Sequence, residues 1–310
     1  MTQTTKEVFD KYQIRKTKEQ KSAFILFVKE KAERLGFKVD VEASRSGACN
    51  IVVGDVERAK VVYGAHYDTC PRLPFPNFIT PKNFFIYLLY QIVLVVAIVG
   101  VMLGAMFITD LALGKFESLA VLESLVQLAI YFGFIFLMLA GPANKHTAND
   151  NTSGVTTLLC IMEKMPDELK DGAAFVFFDL EEVGMVGSAA FAKKYKKTMK
   201  EKLLVNFDCV SDGENMLFVL RKKAKAQKQL FEDVLVSNEH VKVEVATKGV
   251  FYPSDQMMFP CGVGVAALKK TKFLSLLYMD RIHTDKDTVY REENIEFLTE
   301  GSIKLLKSLQ

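Results

Sequence analysis

From Phe84 to Thr109 the chain runs without one charged residue, and a second apolar run follows from Leu119 to Ala140. At about 1.5 Å of rise per residue, a helix over the first run is long enough to cross a hydrocarbon core of about 30 Å. The second run is weaker as a span, because Glu123 and Gln127 sit four residues apart on one helical face. A short polar link with Asp110, Lys115 and Glu117 joins the two, so residues 75–145 read as an inserted helical hairpin. Gly100 and Gly104 form a G-x-x-x-G that predicts close approach by the second helix. Any fold for this chain must therefore either seat the hairpin in a membrane or cover it, as a lid or an oligomer contact over a soluble protein. Two such segments in succession favour the membrane. Inside a bilayer Gln91, Glu123 and Gln127 need partners, and pairing with the hairpins of neighbouring chains predicts a homo-oligomer.

Around the hairpin the pattern is globular. Thr17-Lys18-Glu19-Gln20 has the form of a capping box, and Phe24, Ile25, Phe27 and Val28 recur at helical spacing until Gly36, predicting a helix from Thr17 to Leu35. Phe37 to Val41 and Asn50 to Val53 read as an antiparallel pair of strands, and Lys60 to Ala65 as a more buried strand ending at His66-Tyr67-Asp68. Helices are expected over 155–165, 188–202 and 229–237, and strands over 203–208 and 241–246. The alternation predicts an α/β fold, with a mixed, centrally parallel sheet sandwiched between helices. Strands with acidic tips occur on both sides of the hairpin, so residues 1–310 are expected to form a single catalytic domain that the hairpin interrupts.

The run Phe175-Val176-Phe177-Phe178-Asp179-Leu180-Glu181-Glu182-Val183-Gly184 shows what those tips carry: a buried strand ends in two adjacent carboxylates. Neighbouring side chains on a strand face opposite ways. The two glutamates can serve one site only if the chain turns there, which Gly184 and Gly187 permit. Such a pair divides the work between binding a cation and taking a proton from water.

The sequence carries 40 basic and 37 acidic residues for a net charge of +3, which gives no reason to expect a nucleic-acid partner. Its short basic runs read as solvated helix faces. Cys49, Cys70, Cys160, Cys209 and Cys261 form no C-x-x-C pair and read as reduced thiols in a cytosolic compartment. Residues 1–24 are polar and show no secretory signal. Lys60, Arg72, Lys82 and Lys145 flank the hairpin while its link is acidic in balance, so a membrane-associated protein with a cytoplasmic catalytic domain is expected. The alternative is a soluble cytoplasmic protein with the hairpin buried.

His66, Asp150, Glu182, Asp208 and His283 all stand at strand ends or in the loops after them, where residues of an open α/β sheet converge. Both His66 and His283 lie in H-x-D or H-T-x-x-D contexts, where an acid can orient the ring. The pieces Gly64-Ala65-His66-Tyr67-Asp68, Ala148-Asn149-Asp150-Asn151-Thr152-Ser153-Gly154, Asp179-Leu180-Glu181-Glu182-Val183-Gly184 with Gly187-Ser188, Asn206-Phe207-Asp208, Ser254-Asp255 and Ile282-His283-Thr284-Asp285 together resemble the M28 family of di-zinc aminopeptidases. The resemblance covers about His66 to Asp287 apart from the hairpin. It implies two Zn²⁺ per chain, with His66 and Asp208 on one ion, Glu182 and His283 on the other, and Asp150 bridging. It further implies a cis Asp150–Asn151 peptide, Asp68 orienting the His66 ring, and Glu181 as general base for attack on a peptide by a metal-activated hydroxide. Tyr252 is the expected oxyanion stabiliser, although Phe251-Tyr252 is slightly out of step with the family, and Gln256 stands where the family often has histidine.

The function expected is a zinc-dependent exopeptidase that releases residues from the amino termini of peptides. A glutaminyl-cyclase-like zinc acyltransferase is the alternative within the same fold, and retention of both His66 and Asp208 argues against its single-zinc site. A noncatalytic membrane-anchored interaction module would be expected to have lost ligands, and none is lost.

Overall fold

A computed structural model of the chain describes residues 1–114, 117–272 and 274–309. The chain opens with helices α1 (Gln3–Tyr12) and α2 (Lys18–Arg34), then strands β1 (Val39–Ala43), β2 (Cys49–Val53) and β3 (Val61–His66). The hairpin follows as α3 (Phe84–Leu113) and α4 (Ala120–Ala140). After it come α5 (Gly154–Lys164), β4 (Ala173–Phe178), α6 (Val186–Lys194), β5 (Leu203–Phe207), β6 (Asn215–Leu220), α7 (Lys228–Val234), β7 (Lys242–Ala246), β8 (Gly262–Lys270), β9 (Leu277–Tyr278) and α8 (Glu292–Ser308). Thr17 and Gln20 close the predicted capping box on α2. The basic helix expected over 188–202 stops at Lys194, where Lys193, Lys194, Lys196 and Lys197 would crowd like charges on one turn. β6, β8, β9 and α8 extend the sequence expectation.

The strands form one mixed sheet in the order β1-β2-β4-β3-β5-β8-β6-β7, with β9 paired to β8. β4, β3, β5 and β8 are mutually parallel, which makes the centre parallel as predicted. Every residue of β3, β4 and β5 is buried, so both sheet faces must be covered. Phe175 and Phe177 of β4 enter the core shared with Phe24 of α2 and Leu158 of α5, while Val176 and Phe178 point to the opposite side, against Phe191 of α6. The period-2 alternation of one strand thus holds two helical layers on one sheet.

Both ends of the hairpin return to one place. Pro71 bridges Ala143, the Arg72 amide donates to the Pro142 carbonyl at 2.8 Å, and the Asn144 amide donates to the Cys70 carbonyl at 3.1 Å. Within the hairpin, Leu94, Ile98, Met102, Ala105 and Thr109 form a more buried stripe on α3, facing the Glu123, Gln127, Ile130 and Phe134 stripe of α4. Gly100 and Gly104 lie off that seam, and a side chain added at either would touch nothing within 4 Å, so the G-x-x-x-G does not mediate this contact. Gln127 finds its partner in its own helix, at 2.9 Å from Glu123. Lys115 of the link lies outside the described residues. Both helices are long and apolar enough to cross a membrane, and Thr109 is the only buried residue of α3 among those described. Phe85, Phe107, Ile108, Val121 and Phe136 are all more than 60% exposed, which leaves an outward apolar belt that none of the described residues covers.

Asp179, just past β4, is fixed by Lys21 of α2 at 2.9 Å and by the Cys49 amide at 3.0 Å. Its carboxylate is 2% exposed, and burial holds its pKa above the ordinary value. Replacing Lys21 with Met should destabilise the protein by about 3–5 kcal/mol near neutral pH, because it strands a buried charge. Thermal unfolding in detergent should show the deficit shrinking as pH falls and Asp179 takes up a proton; a deficit independent of pH would remove this pair from the fold's support.

Candidate metal centre

Parallel strands discharge their carboxyl ends along one edge, and the candidate residues gather there. His66 ends β3, Glu181 and Glu182 follow β4, and Asp208 follows β5. Asp150 lies in the turn that starts α5, where the Asp150–Asn151 peptide is cis, and His283 lies in the loop after β9. The backbone is bent to bring them in. Leu180, Met185, Cys209 and His283 itself have φ between +57° and +63°, the left-handed region that side chains disfavour. Gly184 has φ +110°, and a Cβ on Gly187 would lie 2.2 Å from the Asp179 carbonyl, so the turn that presents both glutamates needs its two glycines.

Asp150 occupies the middle of the group. Its Oδ1 is 3.2 Å from His66 Nε2 and its Oδ2 is 2.9 Å from His283 Nε2. Asp208 Oδ1 approaches the same His66 nitrogen at 3.4 Å, and Glu182 Oε2 the same His283 nitrogen at 3.2 Å. Two donor groups result, His66 with Asp150 and Asp208, and Glu182 with His283 and Cys70; in each, the ligand atoms lie within 4.8 Å of one another. All five expected ligands are thus brought together. Imidazole nitrogen, carboxylate oxygen and thiolate sulfur are the donors zinc takes. Glu182 Oε1 is buried without a hydrogen-bond partner, a lone pair that a bound cation would take up, so the residues fit zinc.

Other acids hold the loops. The Asp68 carboxylate accepts the amides of Glu181 at 3.0 Å and Glu182 at 3.2 Å, while His66 Nδ1 lies 3.1 Å from the Asp68 main-chain oxygen and 3.6 Å from the carboxylate. It is therefore the carbonyl of Asp68 that meets the ring. Asp287 accepts the amides of Asn149 at 2.7 Å and Asp150 at 2.9 Å. Arg15, fully buried, donates to the Tyr67 carbonyl at 2.5 Å and to Thr152 Oγ1 at 3.3 Å, so a cation lies beneath the His66 and Asp150 turns. Burial lowers its pKa to about 10, opposed by Asp68 and Asp150, so it stays charged at neutral pH. No motif marks Arg15 in the sequence.

The cleft beside the ligands has a volume of about 350 Å³ and includes Glu181, Ile79, Tyr252, Met279 and Ile282, together with Tyr87 and Gln91 from α3. Gln91, expected to need a partner within the bilayer, instead faces this cleft. Phe251 packs against Phe84 and Tyr87 at 5.4 and 5.9 Å between ring centroids, joining the hairpin base to the loop that carries Tyr252. The Tyr252 hydroxyl donates to the Asp208 carbonyl at 2.9 Å, and Gln256 braces that loop, accepting from Asn206 at 3.2 Å and donating to the Tyr252 carbonyl at 2.7 Å.

Burial alone would drive the imidazoles of His66 and His283 down, but contact with Asp150, Asp208 and Asp68 on one and with Glu182 and Asp150 on the other holds both well above 6.5. Burial holds Glu181 well above, and Glu182 above, the ordinary glutamate value. Burial also pushes Asp255 up to about 7 and Asp287 to about 8. Burial pushes the same way on Asp150, but its contacts with His283 and His66 outweigh it and hold that carboxyl below the usual range.

Residues 133–299 match the model of Peptidase family M28. Among solved structures, the LapA aminopeptidase of Legionella pneumophila aligns at 14% identity and TM-score 0.58, covering 99% of this chain and 70% of that one. A glutaminyl cyclase from Bacteroides thetaiotaomicron aligns at 14% identity and TM-score 0.55, over 97% and 94% of the two chains. A Zn-dependent exopeptidase from Parabacteroides distasonis aligns at 15% and 0.53, over 98% and 97%. At these identities the likeness is one of fold. No curated protein matches the sequence.

Stripped of metal, the protein should lose stability as pH rises from about 5 to about 8. The raised carboxyls penalise the fold increasingly above their ordinary values of 3.8 and 4.5. The imidazoles stabilise it fully below 6.5 and lose that contribution as pH climbs through their raised values. Asp150's contribution is complete above 3.8 and constant across this range. Zinc should flatten the dependence by replacing those protons. Melting curves of chelator-treated and zinc-loaded protein over this range test it, and parallel curves would show that no ion competes with these protons.

Proposed function

Because the chain belongs to peptidase family M28, we propose that it is a two-zinc aminopeptidase. The observation that carries this reading is the position of Asp150, whose two oxygens face two different imidazoles. His66, Asp208 and Asp150 would hold one ion, and Glu182, His283 and Asp150 the other. When bound, such ions lower the pKa of a water and polarise a carbonyl. Glu181, in the cleft with no ligand role, takes the proton of the attacking water and delivers it to the leaving amine. Tyr252 can donate to an oxyanion only by releasing the Asp208 carbonyl. The substrate is a peptide with a free amino terminus, a reading that rests on the family.

Replacing Glu181 with Gln should leave two zinc per chain and lower turnover by at least about 100-fold. Glu182→Gln should lose zinc instead. Aminoacyl reporters and their N-acetylated counterparts, assayed with metal analysis, decide the rest. One zinc per chain together with cyclisation of amino-terminal glutamine would replace this reading with the acyltransferase.

The uncovered outward belt and the bridge shared by both ends support a hairpin that enters a membrane and returns to the same side, and Lys60, Arg72, Lys82 and Lys145 beside it favour the cytoplasmic side for the sheet domain. Hairpins of neighbouring chains could meet through the open Gly100 and Gly104 face. Ser118, exposed at the far end, gives the test. Ser118→Cys in intact cells should react with an impermeant thiol reagent, and the protein should need detergent for release. A monodisperse protein recovered without detergent would make the hairpin a lid or an oligomer contact.

A further inference from the structure

Cys70 is 1% exposed and yet belongs to none of the hydrophobic clusters formed by the described residues. A buried cysteine acting as a small hydrophobe sits among aliphatic and aromatic side chains. The sulfur of Cys70 instead lies within 4.8 Å of ligand atoms of Glu182 and His283. Glu182 is 8% exposed in its side chain, and its second oxygen has no partner. A thiol, a carboxylate with a free oxygen and an imidazole meeting in one partly buried spot is a donor set for a cation.

The backbone keeps Cys70 there. Its carbonyl accepts the Asn144 amide at 3.1 Å, and three residues on, the Leu73 amide donates to the His283 carbonyl at 2.7 Å. The Asn144 side-chain amide also reaches the Thr284 carbonyl at 3.1 Å. The segment carrying Cys70 is thus pinned to the segment carrying His283, so thiol and imidazole keep their relation whatever occupies the space between them.

We propose that Cys70 is a thiolate ligand of the Glu182–His283 ion, which makes the two metal positions chemically unequal. This rests on the two-ion reading of the site. The first position has three protein donors, His66, Asp150 and Asp208, and retains an open place. The second has four, Asp150, Glu182, His283 and Cys70, the number that fills a structural zinc site. Soft sulfur at the second position favours Zn²⁺ over Mn²⁺ or Mg²⁺, whereas the first offers only nitrogen and oxygen. Binding breaks the S–H bond, forms a sulfur–metal bond and releases the proton to solvent.

Metal-free full-length protein in detergent, titrated with Co²⁺, tests this. Visible d–d absorption should saturate at two equivalents, and a near-ultraviolet sulfur-to-cobalt charge-transfer band should grow with only one of them. Cys70→Ser should abolish the near-ultraviolet band and weaken that ion's binding by at least about 100-fold. Cys70→Asp should bind two ions without the band. Cys209→Ser, which alters the thiol that donates to Asp208 Oδ1 at the first position, should keep it. A wild-type protein that develops d–d absorption and no charge-transfer band overturns the assignment and leaves the two-ion reading standing, whether or not the variants fold. A band that survives Cys70→Ser also overturns it. Absence of d–d absorption in the wild type removes the two-ion reading and this proposal with it.

Discussion

The edge of the sheet where β3, β4 and β5 end concentrates more buried carboxyl groups than the protein sets cations beside. Asp68, Asp150, Asp179, Asp208, Asp255 and Asp287 are all buried there or in the adjoining loops, with Glu181 and Glu182 beside them. Against them stand Arg15, Lys21 and two imidazoles. Carboxylates packed this densely are tolerable only with donors or cations in reach. The chain answers by division. Asp68, Asp179 and Asp287 turn their oxygens onto main-chain amides, while Asp150, Glu182 and Asp208 turn theirs onto imidazole nitrogens. The first three fix the loops, and the second three are left for something from outside.

That division explains which parts of the site were readable in advance. The ligand-type residues sit at the ends of apolar strands, and period and spacing alone bring His66, Glu182 and Asp208 to one edge. The H-x-D and H-T-x-x-D contexts read as acids that orient the rings, and in the fold Asp68 meets its ring through its carbonyl while the carboxylates of Asp68 and Asp287 hold backbone amides more than a hundred residues away in sequence. No local pattern encodes a contact at that separation. Arg15 and Lys21 were hidden for the same reason, as a cation in a polar amino-terminal stretch looks like any solvated one until the sheet closes over it. In the sequence Cys70 reads as one reduced thiol among five, because its neighbours Glu182 and His283 come from loops beyond the hairpin.

The fold was legible where burial forces a pattern. β3, β4 and β5 carry continuous apolar runs because both faces of the sheet are covered, and the capping box set the start of α2 to the residue. Where charge crowding competed with helical periodicity, at Lys193 to Lys197, the helix ended early. The G-x-x-x-G failed as a guide to packing because small residues permit close approach without dictating which face will use it; on α3 the seam formed one stripe away.

The neck at Pro71 and Ala143 changes how the insertion relates to its host. The two ends of the hairpin are closed on each other by main-chain hydrogen bonds into a short two-stranded stem, and the insertion rests on the domain again at its base, through Ile79, Phe84 and Tyr87. The entropy of closing a loop rises slowly with its length, so residues can be gained or lost beyond that stem at little thermodynamic cost to the domain. Only the first turns of α3, where Tyr87 and Gln91 reach the cleft, are bound to keep their registration. The remainder of the hairpin is free to drift in length and composition; were it seated in a bilayer, the same body could be refitted to membranes of different thickness by changes that never touch a strand.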